Sequence, residues 1–236
     1  MISPRKISAI YSKNMKGITK NPFIIVAPLA ILLIAVLQVM NLPEYATNDE
    51  IAMLLNMVIG LNVLLTGITT MCVLIAEEKE KNTLNVLITS TVSGIDFLTA
   101  HVLTTATITV AVNALVYYIV GVDGLPIGDY LLVTSVGTIA AITLGATLGI
   151  LAKNQAAAST MVSPFIMLLM LAPIFFSDTF LVQNVLYYSF TEQMNLAVFD
   201  LLRDGLNWIR VVILGANIAV FAVIFGICYR KRGLSV

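Results

Sequence analysis

Acidic and basic side chains crowd one short stretch of this chain, Glu77-Glu78-Lys79-Glu80-Lys81, and the only histidine, His101, follows it. Adjacent carboxylates near a histidine are the raw material of acid–base catalysis. The pattern does not complete that chemistry. Glu77-Glu78 is half of a paired-glutamate protease motif, but no arginine follows at the needed spacing and there is a single histidine. A Ser-His hydrolase would have to use His101, and no Gly-x-Ser-x-Gly turn is present to expose a serine. One histidine cannot build a His-rich metal site. No phosphate loop of the Gly-x-x-x-x-Gly-Lys type is present to hold a nucleotide. An intramembrane enzyme is therefore the weakest reading, and no catalytic or metal-ligating residue is assigned.

Two uncharged polar stripes are the next candidates. His101, Thr105, Thr109 and Asn113 recur every four residues, as do Asn62, Thr66 and Thr70. At that spacing each set lies on one slowly drifting helix face. Asn62, Thr66, Thr105, Thr109 and Asn113 could line a polar pathway. The preferred reading is hydrogen-bond glue between apolar helices, worth about 0.6 kcal/mol each. None is charged, so no ion relay is implied. A third pattern, Gly137, Ala141, Gly145 and Gly149, puts small side chains on one face and allows another helix to approach closely, within the subunit or across a dimer.

The elements that must carry these residues are membrane helices. The chain is 59% hydrophobic and 11% charged, with a mean hydropathy of +0.97. A soluble domain carries about 25% charge. Six apolar stretches approach the ~20 residues that cross a bilayer: Phe23–Met40, Ile51–Ala76, Leu98–Val122, Tyr130–Ala152, Ala156–Ser177 and Ile209–Tyr229. Eleven of the thirteen basic residues fall in alternate gaps or at the chain ends, and only Arg203 and Arg210 fall on the other side. Basic residues near span ends stay cytoplasmic, so both termini and the 77–97 loop are expected inside. The first apolar run follows a long basic segment with no cleavage site behind it, so it reads as a retained span. Cys72 and Cys228 fall near cytoplasmic span ends and are expected as free thiols. The net charge is zero, which gives no argument for nucleic acid.

The expected organisation is one transmembrane domain, residues 1–236, all α-helical. Ser3-Pro4 opens a basic amphipathic helix within residues 1–22, with Ile7, Ile10, Tyr11, Met15 and Ile18 on its apolar face. The alternative there is a disordered basic tail that only sets topology. In the 77–97 loop Asn82-Thr83 breaks the helix, and Leu84, Leu87 and Ile88 form a short apolar face. Pro164 and Pro173 predict kinks in the fifth span. On the far side, residues 178–208 read as two short helices dipping into the interface. Ser189 and Glu192 have capping-box spacing there, and Leu196, Phe199 and Leu202 share a face. Trp208 is an interfacial anchor and Gly205 a turn.

With these residues in view, the chain resembles the permease subunits of type-two ABC exporters over nearly its whole length. The most specific piece is Glu77-Glu78-Lys79-Glu80-Lys81-Asn82-Thr83-Leu84-Asn85-Val86-Leu87-Ile88-Thr89-Ser90-Thr91-Val92-Ser93. The family pattern there is an acidic-basic helix end, Gly-Thr, a Leu-rich coupling helix, then Ser-Pro-Val-Ser. Asn82 replaces the Gly, Thr91 replaces the Pro, and His101 stands where a Lys is common. Lys20-Asn21-Pro22-Phe23 leading into Pro28 and the outer helical pair add support. The resemblance implies a six-span subunit that pairs with a second permease, identical or homologous, and with two cytoplasmic ATPases. It implies that ATP and Mg bind those partners and that this chain binds no cofactor. Glu77, Glu78, Glu80, Thr83, Leu84, Leu87 and Ile88 become the ATPase-coupling set, and Leu196, Phe199 and Leu202 an outer gate. The expected cargo is hydrophobic or amphipathic (a peptide, lipid-like molecule or drug), and the expected location is a prokaryotic cell membrane with its lipids. A non-transporting membrane scaffold or immunity factor is the alternative from another class.

Overall fold

A computed structural model describes residues 3–43, 45–81, 93–175 and 178–232. Among the described residues there are nine helices and no strand, and six of the helices are long and apolar enough to cross a membrane. This agrees with the all-α membrane fold expected from the sequence. The six spans begin and end within a few residues of the hydropathy reading.

Helix α1 (Pro4–Ile18) starts at a proline, whose fixed φ suits the first helical position. The Ser3 side chain makes no capping hydrogen bond. Instead the Ser3 backbone N–H donates to Asp96 Oδ1 at 2.9 Å, which staples the start of α1 to a later helix. Asn21 caps α2 (Pro22–Met40) by accepting from the Phe23 N–H, and Pro28 lies inside α2 without ending it. Helix α3 (Asn48–Glu80) is 33 residues long. At ~1.5 Å per residue that is about 50 Å, against ~30 Å of hydrocarbon, so its ends project beyond the apolar layer. A full capping box of Thr47 and Glu50 starts it, and a π-helical segment, Val63–Ile68, interrupts it midway. Helix α4 (Gly94–Val120) is capped by Ser93 and ends at Gly121, whose φ of +65° favours glycine.

Helices α5 (Ile127–Leu151) and α6 (Gln155–Phe175) follow, α6 carrying Pro164 and Pro173. A short α7 (Phe180–Asn184) and a 3-10 turn lead to α8 (Phe190–Arg203). Ser189 caps α8, and Gly205, at φ +86°, turns the chain into α9 (Trp208–Arg232).

The core sits on α3. Of its most apolar stretch 89% is buried, against 22% for α2, 17% for α6 and 6% for α9. Helices α4, α5, α6 and α8 pack around α3, and α9 runs along α5. The low burial of α2, α6 and α9 leaves surfaces for lipid or for other proteins. Helix α1 lies along α4 rather than free on a lipid surface. It buries Ile10, Asn14 and Ile18, and Asn14 Nδ2 donates to Thr104 Oγ1 at 3.4 Å. Arg5, Lys16 and Lys20 remain exposed.

Candidate functional site

Charged residues gather where the long helix α3 leaves the bundle. Lys13 pairs with Glu78 at 2.6 Å, and the Glu78 side chain is only 5% exposed. Glu77 accepts from Asn21 Nδ2 at 2.9 Å and pairs with Lys81. The Glu77 hydrogen bond is the main cause that raises the Lys81 pKa above its ordinary value. Glu80 accepts from the Gln155 N–H at 3.0 Å. Lys79 Nζ donates to the carbonyls of Ile150 and Ala152 at 2.7 and 2.6 Å, satisfying carbonyls that the end of α5 leaves open. One helix end thus ties together α1, the starts of α2 and α6, and the end of α5. Near the same end, Tyr229 at the end of α9 lies against Gly94.

The small-residue face of α5 meets α3 and α8 inside the subunit. A Cβ on Gly145 would stand 2.5 Å from the Ile68 carbonyl oxygen, and one on Gly149 would stand 2.9 Å from Ile75 Cβ. Ala141 faces Gly67, and Gly137 accommodates Met194 of α8. Of the two polar stripes, Asn62 and Asn113 make the interhelical bond: Asn62 Nδ2 donates to Asn113 Oδ1 at 2.8 Å and to the Thr109 carbonyl at 2.9 Å. Thr109 bonds the Thr105 carbonyl of its own helix, and Thr105 reaches only the Met71 sulfur, at 3.8 Å. Thr66 and Thr70 are buried with hydroxyls unpartnered among the described residues. The π segment changes the turn spacing here, so a four-residue stripe no longer keeps one face.

At the opposite end of the bundle a cavity of about 300 Å³ opens between α3, α6 and α8. Its walls follow helical spacing. Met53, Asn56, Met57, Gly60, Leu61 and Leu64 form the α3 wall, Leu169, Met170 and Pro173 the α6 wall, and Glu192, Asn195, Leu196 and Phe199 the α8 wall. The lining is apolar apart from a few polar groups, the usual makeup of a small-molecule site. Burial raises the Glu192 carboxyl above the ordinary carboxylate range, with Arg210 opposing. Arg210 also holds the hairpin together, bonding Asp200, Tyr187 and Gln193.

The sequence pattern of the ABC-2 family of transporter proteins matches residues 6–228. The chain belongs to that family. Comparison with curated proteins returns no match. As an ABC-2 permease it is a multi-pass transmembrane subunit, and family membership implies association with ATPase subunits.

The permease fold distributes the expected site residues as follows. Glu77, Glu78 and Glu80 of the coupling set are engaged by partners within the chain. Thr83, Leu84, Leu87 and Ile88 lie outside the described residues. The candidate pathway residues Asn62, Thr66, Thr105, Thr109 and Asn113 are fully buried and are not among the residues that line the outer cavity. Leu196 and Phe199 line the cavity, whereas Leu202 packs against the core. The face that holds α8 in place is Met194, Ala197 and Leu201, which the sequence reading passed over. It also passed over Asn56, a lone polar residue in an apolar run and off the four-residue stripe. Among the described residues no cluster of three or more His, Cys, Asp or Glu is placed to hold a metal. Cys72 and Cys228 are free thiols.

Proposed function

We propose that this ABC-2 permease is the membrane part of an ATP-driven exporter, moving a hydrophobic or amphipathic molecule out of the cell. Two separate cytoplasmic ATPases would bind ATP and Mg, and a second permease would complete the membrane part. The outer cavity is the observation that carries this reading. It is walled by α3, α6 and α8, so motion of α3 would change its shape. The largely uncovered α6 and the apolar groove between α6 and α7 offer a surface for the second permease. A passive scaffold has no use for such a cavity.

The reading places the termini and residues 77–97 in the cytoplasm, on the strength of the eleven-to-two basic split. With the native cysteines replaced, single cysteines at Ser90 and Asn48 are expected to label from opposite faces. Labelling of the Ser90 position by an impermeant reagent in intact cells would reverse the topology.

Phe199 tests the gate. Phe199→Ala removes a half-buried ring from the cavity wall, at a cost to stability of about 1–2 kcal/mol. Basal ATP turnover or substrate leak is expected to change while the ATPases stay bound. If assembly itself fails, α8 is a structural cap; if assembly, leak and transport all match the parent, α8 has neither role.

A further inference from the structure

The Asn56 carboxamide is the least explained polar group in the outer cavity. Asn56 is only 4% exposed, and among the described residues neither its Nδ2 nor its Oδ1 has a hydrogen-bond partner. An amide buried in this way is costly unless something pairs with it. It lies on the α3 wall among Met53, Met57 and Leu61, whose side chains offer nothing stronger than a weakly accepting thioether. Asn195 faces the same space from α8. Its Oδ1 is also buried without a partner, and it leans over Gly60, where a Cβ would come within 3.7 Å of that oxygen. Gly60 is one turn from Asn56 on the same face, and Asn56 and Asn195 line the same apolar cavity from two walls, their unpaired amide atoms packed within those walls.

We propose that this cavity recognises a peptide-type amide group on its substrate, so the cargo is an apolar peptide or a peptide-like carboxamide. This rests on reading the cavity as the substrate site. A carboxamide presents one donor edge and one acceptor edge side by side. The complement is an N–H and a C=O side by side on one edge, which the two trans peptide groups flanking a residue of an extended peptide present, as does a primary carboxamide. Asn195 Oδ1 adds a second acceptor for a neighbouring N–H. Methionine, leucine and phenylalanine walls accept apolar side chains of varied shape. An acyl chain would fill the volume and leave both amides unpaired. A hydroxyl could satisfy one edge and leave the other.

The test uses the full-length protein in phospholipid nanodiscs and three probes. These are N-acetyl-leucyl-leucine methylamide, its analogue with one amide N–H replaced by an ester oxygen, and a dodecyl-chain alcohol. The peptide is expected to bind the parent about tenfold or more tighter than the ester analogue, which lacks one donor. Asn56→Leu is expected to erase that preference and weaken peptide binding by a similar factor, while dodecyl binding holds or improves. The same variant is expected to raise the Tm of the ligand-free protein, because it removes an unpaired buried amide. A structural asparagine would do the reverse, so a lower Tm with all three probes weakened alike overturns the proposal. Phe199→Trp, which fills the cavity, separates the two layers of the argument. If it blocks the peptide but ester and peptide bind the parent equally, the cavity is a substrate site and the amide proposal falls. If neither Phe199→Trp nor Asn56→Leu alters peptide binding, the cavity is not the site and both readings fall.

Discussion

Gly145→Leu is expected to lower the yield and the unfolding temperature of the folded protein sharply, while Gly215→Leu leaves both intact. The difference lies in what each new side chain meets. At Gly145 the first added carbon already falls 2.5 Å from the Ile68 carbonyl oxygen and 3.0 Å from Ile68 Cα. Those are backbone atoms of α3 and cannot swing aside. Nor can α3 retreat, since it is packed on several sides as the core of the bundle. Overpacking costs about 1–3 kcal/mol where side chains can adjust. Here they cannot, so the cost is at least about 3 kcal/mol, and 1.4 kcal/mol is already a tenfold change in the folded population. At Gly215 nothing lies within 4 Å. The checks are the yield of monodisperse protein in detergent and its thermal unfolding. A Gly145→Leu protein as stable as the parent would show that α5 and α3 do not pack as described.

Leu87→Asp is expected to lose ATP-coupled transport with the permease itself still folded. Both flanks of the segment are fixed to the bundle. On one side, Glu77, Glu78, Lys79 and Glu80 fix the end of α3 to α1, α2, α5 and α6. On the other, Ser93 caps α4, and Asp96 holds the start of α1 through Ser3. A segment anchored at both ends to the bundle would transmit a push to most of the inner helices at once. On the proposed reading, Leu84, Leu87 and Ile88 are the apolar residues that an ATPase groove would grip. An aspartate at Leu87 would put an unpaired charge into a desolvated contact, which is heavily unfavourable. Membrane vesicles containing the whole transporter should show transport reduced to background. An unchanged Tm of the permease would assign the loss to the partner contact, and normal transport by the variant would remove the docking role.

Much of this architecture is legible in the residues because membrane helices are encoded locally. Each span carries its own apolar run, and Gly121 and Gly205 end helices where left-handed backbone is needed. The small residues of α5 announce close approach. They do not name the helix that approaches, because Ile68 and Ile75 lie some seventy residues away in sequence. The charges at Glu77–Glu80 look from sequence like a surface for a partner. Their partners in the fold are Lys13, Asn21 and Gln155, which no local spacing connects. The stripe through Asn62, Thr66 and Thr70 presumed a regular helix, and the π segment of α3 undoes that assumption. Asn56 had no periodic companion to draw notice. Only the closure of α6 and α8 over it shows that a buried amide faces a cavity.

The most direct measurement is ATP-driven uptake by inside-out vesicles made from membranes that contain this permease with its native partners. The probe is N-acetyl-leucyl-leucine methylamide supplied outside with Mg-ATP. Accumulation inside is expected, requiring ATP hydrolysis and falling to background with Leu87→Asp. Equal uptake with and without ATP, in vesicles where the ATPases are shown to be bound to the permease, would contradict the exporter reading.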